Sequence, residues 1–323
     1  MNPRFAGIAL CLLAASAWAE SSRNDALEWL HRISASAQTL NYKGTIVYQS
    51  GGRSESSRVS HLFEGDSDME LVEMLDGSPR EIVRIGDEVR TRLPESRRVV
   101  IERRIPQPHF PLMLSTGLGE LTDFYYIRRL ALDRVAGFDT QPVLIEPRDQ
   151  NRYRRKLWID RESGLLLRSE TYEDNGQVRE SSAFTELHVG AAIDRNAIRS
   201  SFKRQDNGWN VQEVQTIAFP ANESRWSVGP GLPGFRRVAA MVRKAQINQQ
   251  QGLQFVFTDG LAAVSVFVDP LAADAAQPSV GQFAMGPLNV YKRLTGKYLL
   301  VLMGDVPPAA LKKFGDGISS AIQ

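Results

Sequence analysis

The chain has one cysteine among 323 residues and only four histidines. Cys11 lies in the apolar stretch at the start, so the rest of the chain can form no disulfide and no thiolate metal site. His31, His61, His109 and His188 are not spaced as metal ligands, and H-E-x-x-H is absent. Also missing are G-x-S-x-G and the phosphate loop G-x-x-x-x-G-K-[ST]. Gly229–Gly234 (GPGLPG) is glycine-rich, but Pro230 and Pro233 remove backbone donors that a phosphate cradle needs. Acidic pairs such as Asp66/Asp68 carry no signature of their own. The expectation is a non-enzyme with no catalytic residue, no metal site and no cofactor.

Long hydrophobic runs are equally scarce. Phe5 to Ala15 is too short to span a bilayer. Arg4 precedes it and Ala17-Trp18-Ala19 follows, which is the pattern of a secretory signal with a small-x-small cleavage site. Cleavage is expected between Ala19 and Glu20, giving an exported mature chain. Ile8-Ala9-Leu10 makes a poor lipobox ahead of Cys11. No second stretch reaches the ~20 apolar residues of a membrane helix. Charge of one sign is lacking too. The net charge is +2 and becomes +1 once Arg4 leaves, a balance that by itself predicts nothing about nucleic acid. No nucleic-acid partner is expected, because the chain is exported and its arginine clusters do not interleave aromatics. A composition 42% hydrophobic and 24% charged is enough for real cores.

What the chain does have is one helix and many strands. Ser22 and Asp25 fit a capping box. Ala26, Trp29, Leu30, Ile33, Ala37 and Leu40 then recur at helical spacing, and the helix should stop before Asn41. From Tyr42 the period falls to two. Strands are expected over Tyr42–Ser50, Arg53–Phe63, Glu70–Leu75, Arg80–Ile85, Val89–Leu93 and Val99–Glu102. A short helix is expected near Leu118–Tyr125. Ile127–Val135, Gln141–Glu146, Tyr153–Asp160, Leu165–Tyr172 and Gln177–Val189 continue the series as an antiparallel meander, with Asn175-Gly176 as a type I′ turn. This is an α+β, β-rich chain with a large curved antiparallel sheet covered by a helix.

Lys203–Asn210 (KRQDNGWN) marks a composition shift. It predicts residues 20–202 as a first domain, 203–222 as a linker and 223–323 as a smaller α+β domain, after the leader 1–19. In the second part Arg236–Lys244 is a strand, and Asp259-Gly260 and Thr295-Gly296 turn hairpins. Pro307-Pro308 opens a last helix.

Two features bear on ligands. Arg90 and Arg92 share one face of a strand, as do Arg152 and Arg154. A solvated outer face explains such cations, and so does a rim for anionic or phosphorylated lipid beside an apolar cavity. Ile105–Gly119 is apolar but broken by Pro106, Pro108 and Pro111, so with Phe110 it is either a buried loop or a movable cover over that cavity.

Several segments carry a resemblance. They are Leu40–Tyr42 (LNY), Leu71–Val83 (LVEMLDGSPREIV), Tyr125–Gly137 (YYIRRLALDRVAG) and Arg148–Val178 (RDQNRYRRKLWIDRESGLLLRSETYEDNGQV). Later come Leu232–Phe235 (LPGF), Thr258–Phe267 (TDGLAAVSVF) and Gly304–Pro308 (GDVPP). In order and spacing the chain resembles the RseB/MucB family of periplasmic regulators of the envelope-stress sigma factor. The resemblance implies a lipoprotein-carrier-like first domain, a half-open β-barrel with helices, and a smaller second domain. It implies a partner, the periplasmic domain of a transmembrane anti-sigma factor, shielded from the first protease of a cascade. Lipopolysaccharide or mislocalised lipoprotein would be the releasing ligand, and a homo-oligomer is compatible with it. One departure is Gly231, where the family has Trp before LPxGF; Trp226 stands upstream. The alternative is a periplasmic lipid or lipoprotein carrier, although a carrier needs only the first domain.

Overall fold

A computed structural model describes residues 27–65, 67–103, 121–214, 217–218, 226–229, 231–244, 251–271 and 277–320. The leader, its cleavage site at Ala19 and Glu20, the helix cap at Ser22 and Asp25, and the proline-rich segment with Pro106, Pro108, Phe110 and Pro111 lie outside the described residues.

Helix α1 spans residues 27–39 and stops before Asn41, as its apolar period requires. Leu30, Ile33 and Ala37 are its buried stripe. The chain then runs through β1 (Tyr42–Ser50), β2 (Arg53–Glu64), β3 (Ser67–Met74), β4 (Glu81–Ile85), β5 (Glu88–Leu93) and β6 (Arg98–Arg103) as consecutive hairpins. Helix α2 (Leu121–Phe124) leads into β7 (Tyr125–Arg129), β8 (Asp133–Val135), β9 (Phe138–Pro147), β10 (Arg154–Asp160), β11 (Leu166–Tyr172) and β12 (Val178–Val189). β1 and β12 pair antiparallel, which joins both meanders into one 13-stranded sheet. Along it the order is β13-β6-β5-β4-β3-β2-β1-β12-β11-β10-β9-β7, with β8 on β9.

Three departures from the sequence pattern occur along the first sheet. The stretch 127–135 is two strands, because residues 130–132 leave the ladder between β7 and β8. At Asn175-Gly176 only Gly176 has positive φ, at 83°, whereas a type I′ turn needs two such residues. The Gly176 amide donates to the Glu173 carbonyl at 2.9 Å, closing a three-residue loop with glycine at the left-handed position. The third is α3 (Arg195–Lys203), absent from the sequence reading. Its cap is Asp194, whose carboxylate accepts from the Asn196 and Ala197 amides at 2.9 and 3.1 Å. Only Ile198 is fully buried, against Leu62, Met69 and Val83.

After α3 the chain forms β13 (Asn210–Val214), parallel to β6, inside the segment that composition assigns to a linker. A parallel partner follows from the helical crossover that α3 supplies. Then come β14 (Ile217–Ala218), β15 (Trp226–Val228), β16 (Arg236–Lys244), β17 (Gln251–Thr258), β18 (Ala263–Pro270), β19 (Gly281–Met285), β20 (Leu288–Thr295) and β21 (Tyr298–Gly304). Helix α4 (Pro308–Asp316) and β22 (Ile318–Ser320) close the chain. The second sheet runs β14-β16-β17-β18-β21-β20-β19, and α4 packs Leu311 and Phe314 on one face against Phe257, Val264 and Leu302. Trp226 is buried here, edge-on to Tyr298 at 5.2 Å. Gly231 sits at φ 57°, under the Phe314 ring.

Polar groups inside the first sheet are paired. His61 meets the Leu40 carbonyl at 2.7 Å and the Asp68 carboxylate at 3.0 Å, and Arg84 grips Asp68 with both terminal nitrogens and reaches Glu70 at 3.1 Å. This ties the end of α1 to β2, β3 and β4.

Candidate functional site: the junction between the two sheets

Five of the seven family-like segments, 125–137, 148–178, 232–235, 258–267 and 304–308, lie far apart in the chain but meet in space. Their meeting point is the tip of the β17–β18 hairpin. Asp259 begins that tip. One carboxylate oxygen accepts from the Leu261 and Ala262 amides at 3.0 and 2.9 Å, which shapes the loop from within. Thr258 adds its hydroxyl to the Ala262 carbonyl at 2.7 Å. The tip therefore holds its form and projects Leu261.

Leu261 enters the core of the first sheet, among Leu30 and Ile33 of α1, Leu121 of α2, Tyr125 of β7 and Leu157 of β10. It is 4% exposed, and burying a leucine is worth about 1.5–3 kcal/mol. An apolar residue at a hairpin tip is the one clue to this docking that the sequence offers.

The second oxygen of Asp259 faces the first sheet. It accepts from the Tyr125 hydroxyl at 2.8 Å and from Arg152 Nε at 2.6 Å. Neither Arg152 nor Asp259 has any exposed side-chain surface. Arg152 also donates to Asp149 at 2.6 Å and to the Pro233 carbonyl of the LPGF segment. The rings of Phe124 and Phe235 lie 4.8 and 5.2 Å from its guanidinium carbon. Charge-assisted bonds of this kind are stronger than neutral ones, and enclosure in low dielectric strengthens them further. Burial and the Asp259 carboxylate push the Tyr125 phenol well above its usual range, so it stays a donor. Gly234 lets the LPGF backbone approach; at φ 80°, a Cβ there would overlap the Phe124 ring.

A second line of contacts runs beside the first. Arg155 pairs with Asp305 of the GDVPP segment, and Asp305 accepts from the Ala263 amide at 2.7 Å. Asn289 donates to the Tyr153 hydroxyl at 3.0 Å and to the Val306 carbonyl at 2.8 Å. Arg179 reaches the Pro287 carbonyl at 3.1 Å. Chemically this is a lock that fixes how the two sheets sit. The described residues hold no group of three or more potential metal ligands.

The four arginines of the expected anionic rim fall in different places. Arg152 is not on a strand with Arg154, since β10 begins at Arg154 and Arg152 lies in the preceding turn. Its pairing with Asp149 and Asp259 places it inside the junction, so the rim expectation is revised for this residue. Arg92 is also enclosed, donating to Asp206 at 3.0 Å and Glu81 at 3.0 Å, and it holds the chain after α3 to β5. Arg90 shares that face, bonding the Phe202 carbonyl at 2.8 Å and Glu88 at 2.8 Å. Arg154 is half-buried over the Tyr172 ring at 4.9 Å. β5 and β10 are separated by six strands, so the two clusters do not form one rim along the sheet.

An open cleft of about 620 Å³ lies between α1 and the turns after β8 and β10, lined by Trp29, Arg32, Arg134, Phe138, Asp139 and Arg161 among others. Arg32 there donates to the Arg161 and Glu162 carbonyls at 2.8 and 3.0 Å and lies 4.3 Å over the Trp29 ring. Asp139, Asp160 and Glu162 balance its cations, so the cleft is not an anion rim either.

Comparison with known proteins fits this geometry. The family described as the MucB/RseB N-terminal domain matches residues 25–202, and the MucB/RseB C-terminal domain matches residues 220–319. The chain is 28% identical over 289 residues to the sigma factor AlgU regulatory protein MucB of Pseudomonas aeruginosa, covering 88% of this chain and 87% of that one. It is 21% identical over 293 residues to the sigma-E factor regulatory protein RseB of Escherichia coli K12, covering 90% and 89%. Among solved structures, MucB in the Pseudomonas aeruginosa MucA/MucB complex superposes with a TM-score of 0.71 at 24% identity, over 93% of this chain and 100% of that one. A second structure, of MucB in complex with MucA(peri), gives 0.70 at 24% identity, over 92% and 99%. These two establish the shared fold. With matches running through both sheets and across the junction, the chain belongs to the MucB/RseB family.

Proposed function

We propose that this protein is a periplasmic negative regulator of an envelope-stress sigma factor. It binds the periplasmic domain of a membrane-spanning anti-sigma factor and shields it from regulated proteolysis. The observation that carries the reading is the family match over both halves of the chain, joined by a built junction. The relatives are named as sigma factor regulatory proteins, and solved MucB structures hold MucA. A fixed junction suits this role. It presents surfaces of both sheets in one arrangement, so a partner spanning them meets a preorganised site.

Export through the leader 1–19, a division into 20–202, 203–222 and 223–323, and release by a lipid signal are parts of this proposal. Arg90 and Arg154 are the cations of the original four that keep partial solvent contact for an anionic headgroup. The test is reconstitution. Purified mature protein should bind the periplasmic region of the cognate anti-sigma factor and slow its cleavage by the site-1 protease. Equal cleavage rates with and without saturating protein would refute the regulator reading. N-terminal sequencing of periplasmic protein should begin at Glu20.

A further inference from the structure

Four edges end the two large sheets. In the first, edge strand β7 carries Arg128 and Arg129, and edge strand β13 carries Glu213. In the second, β14 is only two residues long. Charge and shortness are the usual guards against strand addition. The fourth edge, β19, has neither. It has five residues, and no charged residue occurs between Asp274 and Lys292. Val280, Phe283 and Met285 are 53%, 42% and 55% exposed. Among the described residues nothing pairs with its outer side.

The two faces of β19 differ. Gln282 donates to the Pro308 carbonyl at 2.7 Å, so Gln282 and Ala284 point to the α4 side. Gly281, Phe283 and Met285 point the other way, in register with Lys292, Val290 and Leu288 of β20. Lys292 leans over the edge: its ammonium is 5.5 Å from the Phe283 ring centre, and Gly281 opposite it has no side chain to block the path. The β19–β20 connection is a two-residue hairpin closed by the Met285–Leu288 pair. Hydrogen bonding alternates along such a ladder, so the backbone groups of Gln282 and Ala284 point outward.

We propose that the outer edge of β19 is a docking site for an extended peptide segment of another protein, which adds as an eighth, antiparallel strand. Main-chain bonds to Gln282 and Ala284 hold it. The recognised chemistry is an apolar side chain opposite Met285 and another opposite Phe283, then a carboxylate opposite Gly281 that meets the Lys292 ammonium. Two observations favour a peptide over a second copy of this chain. Five residues of edge bury far less than the ~1,200 Å² of a stable protein–protein interface. A second copy would also bring Lys292 no carboxylate from the charge-free β19. The site does not depend on the sigma-regulator reading.

The probe is the peptide acetyl-Thr-Val-Thr-Val-Thr-Glu-Thr-amide, titrated into the full mature protein and followed by amide chemical shifts. Shifts should map to residues 280–292. Replacing Glu by Lys in the probe should weaken binding about tenfold, one lost charge-assisted bond. Ala284→Pro removes an outward donor without touching the β20 ladder and should weaken binding at least about tenfold. Phe283→Lys, which guards the edge without backbone change, should do the same. Folding of both variants is checked by an unchanged thermal midpoint. No shifts up to about 1 mM peptide, shifts mapping elsewhere, or equal binding by Phe283→Lys would overturn the proposal. So would self-association of the wild type through this edge, abolished by Phe283→Lys, since it assigns the edge to a second copy.

Discussion

Replacing Asp259 with asparagine removes a charge from the centre of the junction while keeping its shape. The amide oxygen can still accept from the Leu261 and Ala262 amides, so the hairpin tip stays formed. The amide nitrogen then faces Arg152 Nε, donor against donor, where a carboxylate stood 2.6 Å away. Removing one partner of a buried pair costs about 3–5 kcal/mol. Arg152 keeps Asp149 and the Pro233 carbonyl, which places the expectation at the lower end, about 3 kcal/mol. At 1.4 kcal/mol per decade, that shifts the closed–open balance of the junction about 10²-fold. Hydrogen–deuterium exchange reads this directly. Amides of Leu232, Gly234 and Phe235 and of residues 258–263 should lose about two decades of protection, while β1, β2 and β12 stay unchanged. Arg152→Met alone should cost a similar amount. The double variant should cost less than the two singles added, because it leaves neither member of the Asp259–Arg152 pair as a buried charge without the other. Unchanged exchange in the single variant, or a coupling below about 0.5 kcal/mol in the cycle, would refute the lock.

Three other outcomes follow from the same geometry. Leu261→Ala should cost about 2–5 kcal/mol and lower the thermal midpoint, measured by calorimetry, because it empties a pocket in the first sheet from a residue of the second. Gly234→Ala should open the same junction, seen as faster proteolysis near residue 234, since the new methyl meets the Phe124 ring at a left-handed φ. Stability should also fall in acid. At Glu81 burial raises the carboxyl's affinity for a proton, but bonds from Ser201 and Arg204 and the charge of Arg92 prevail and hold it below its usual range. At Asp149 burial is likewise outweighed, by Asn151 and Arg152. Both folded values lie below the unfolded ones, so their stabilisation is present above the unfolded carboxylate range and is lost as pH falls through the folded values. Glu81→Gln should flatten the acid side of a plot of thermal midpoint against pH, and a slope equal to wild type would contradict it.

Most of the sheet was legible because local signals sufficed. Period-two alternation with Gly-Gly at 51–52 and Asp76-Gly77 gave β1 to β4 within a few residues of their observed bounds. The α1 stripe was legible for the same reason: Leu30 and Ile33 are four and three residues from their stripe neighbours, and they are buried as that spacing requires. What failed was structure that depends on distant partners. α3 has two apolar residues to bury and exists because Leu62, Met69 and Val83 offer them a surface. β13 has no pattern of its own and forms because β6 has a free edge. β19, uncharged and glycine-started, resembles loop until β20 supplies its ladder.

The junction was illegible for a sharper reason. Asp259 in isolation is a turn residue before glycine, and that local role is real, since one of its oxygens serves the turn. The other oxygen serves Arg152, 107 residues away, and Tyr125, 134 residues away. Nothing in the spacing of either strand reveals such a pairing. Arg152 misled in the opposite direction. Two arginines separated by one residue resemble a wet cationic face, because lone guanidiniums usually stay in water. A guanidinium is buried only where several acceptors converge on it, and here Asp149, Asp259 and the Pro233 carbonyl come from three separate segments. Those segments, 148–178, 232–235 and 258–267, are among the family-like ones. In this fold each of them supplies one part of a contact that no segment can make alone. A few loops and turns are therefore what sets the relation between the two sheets. A change at Asp259 or Arg152 should alter partner binding through that relation, leaving each sheet folded.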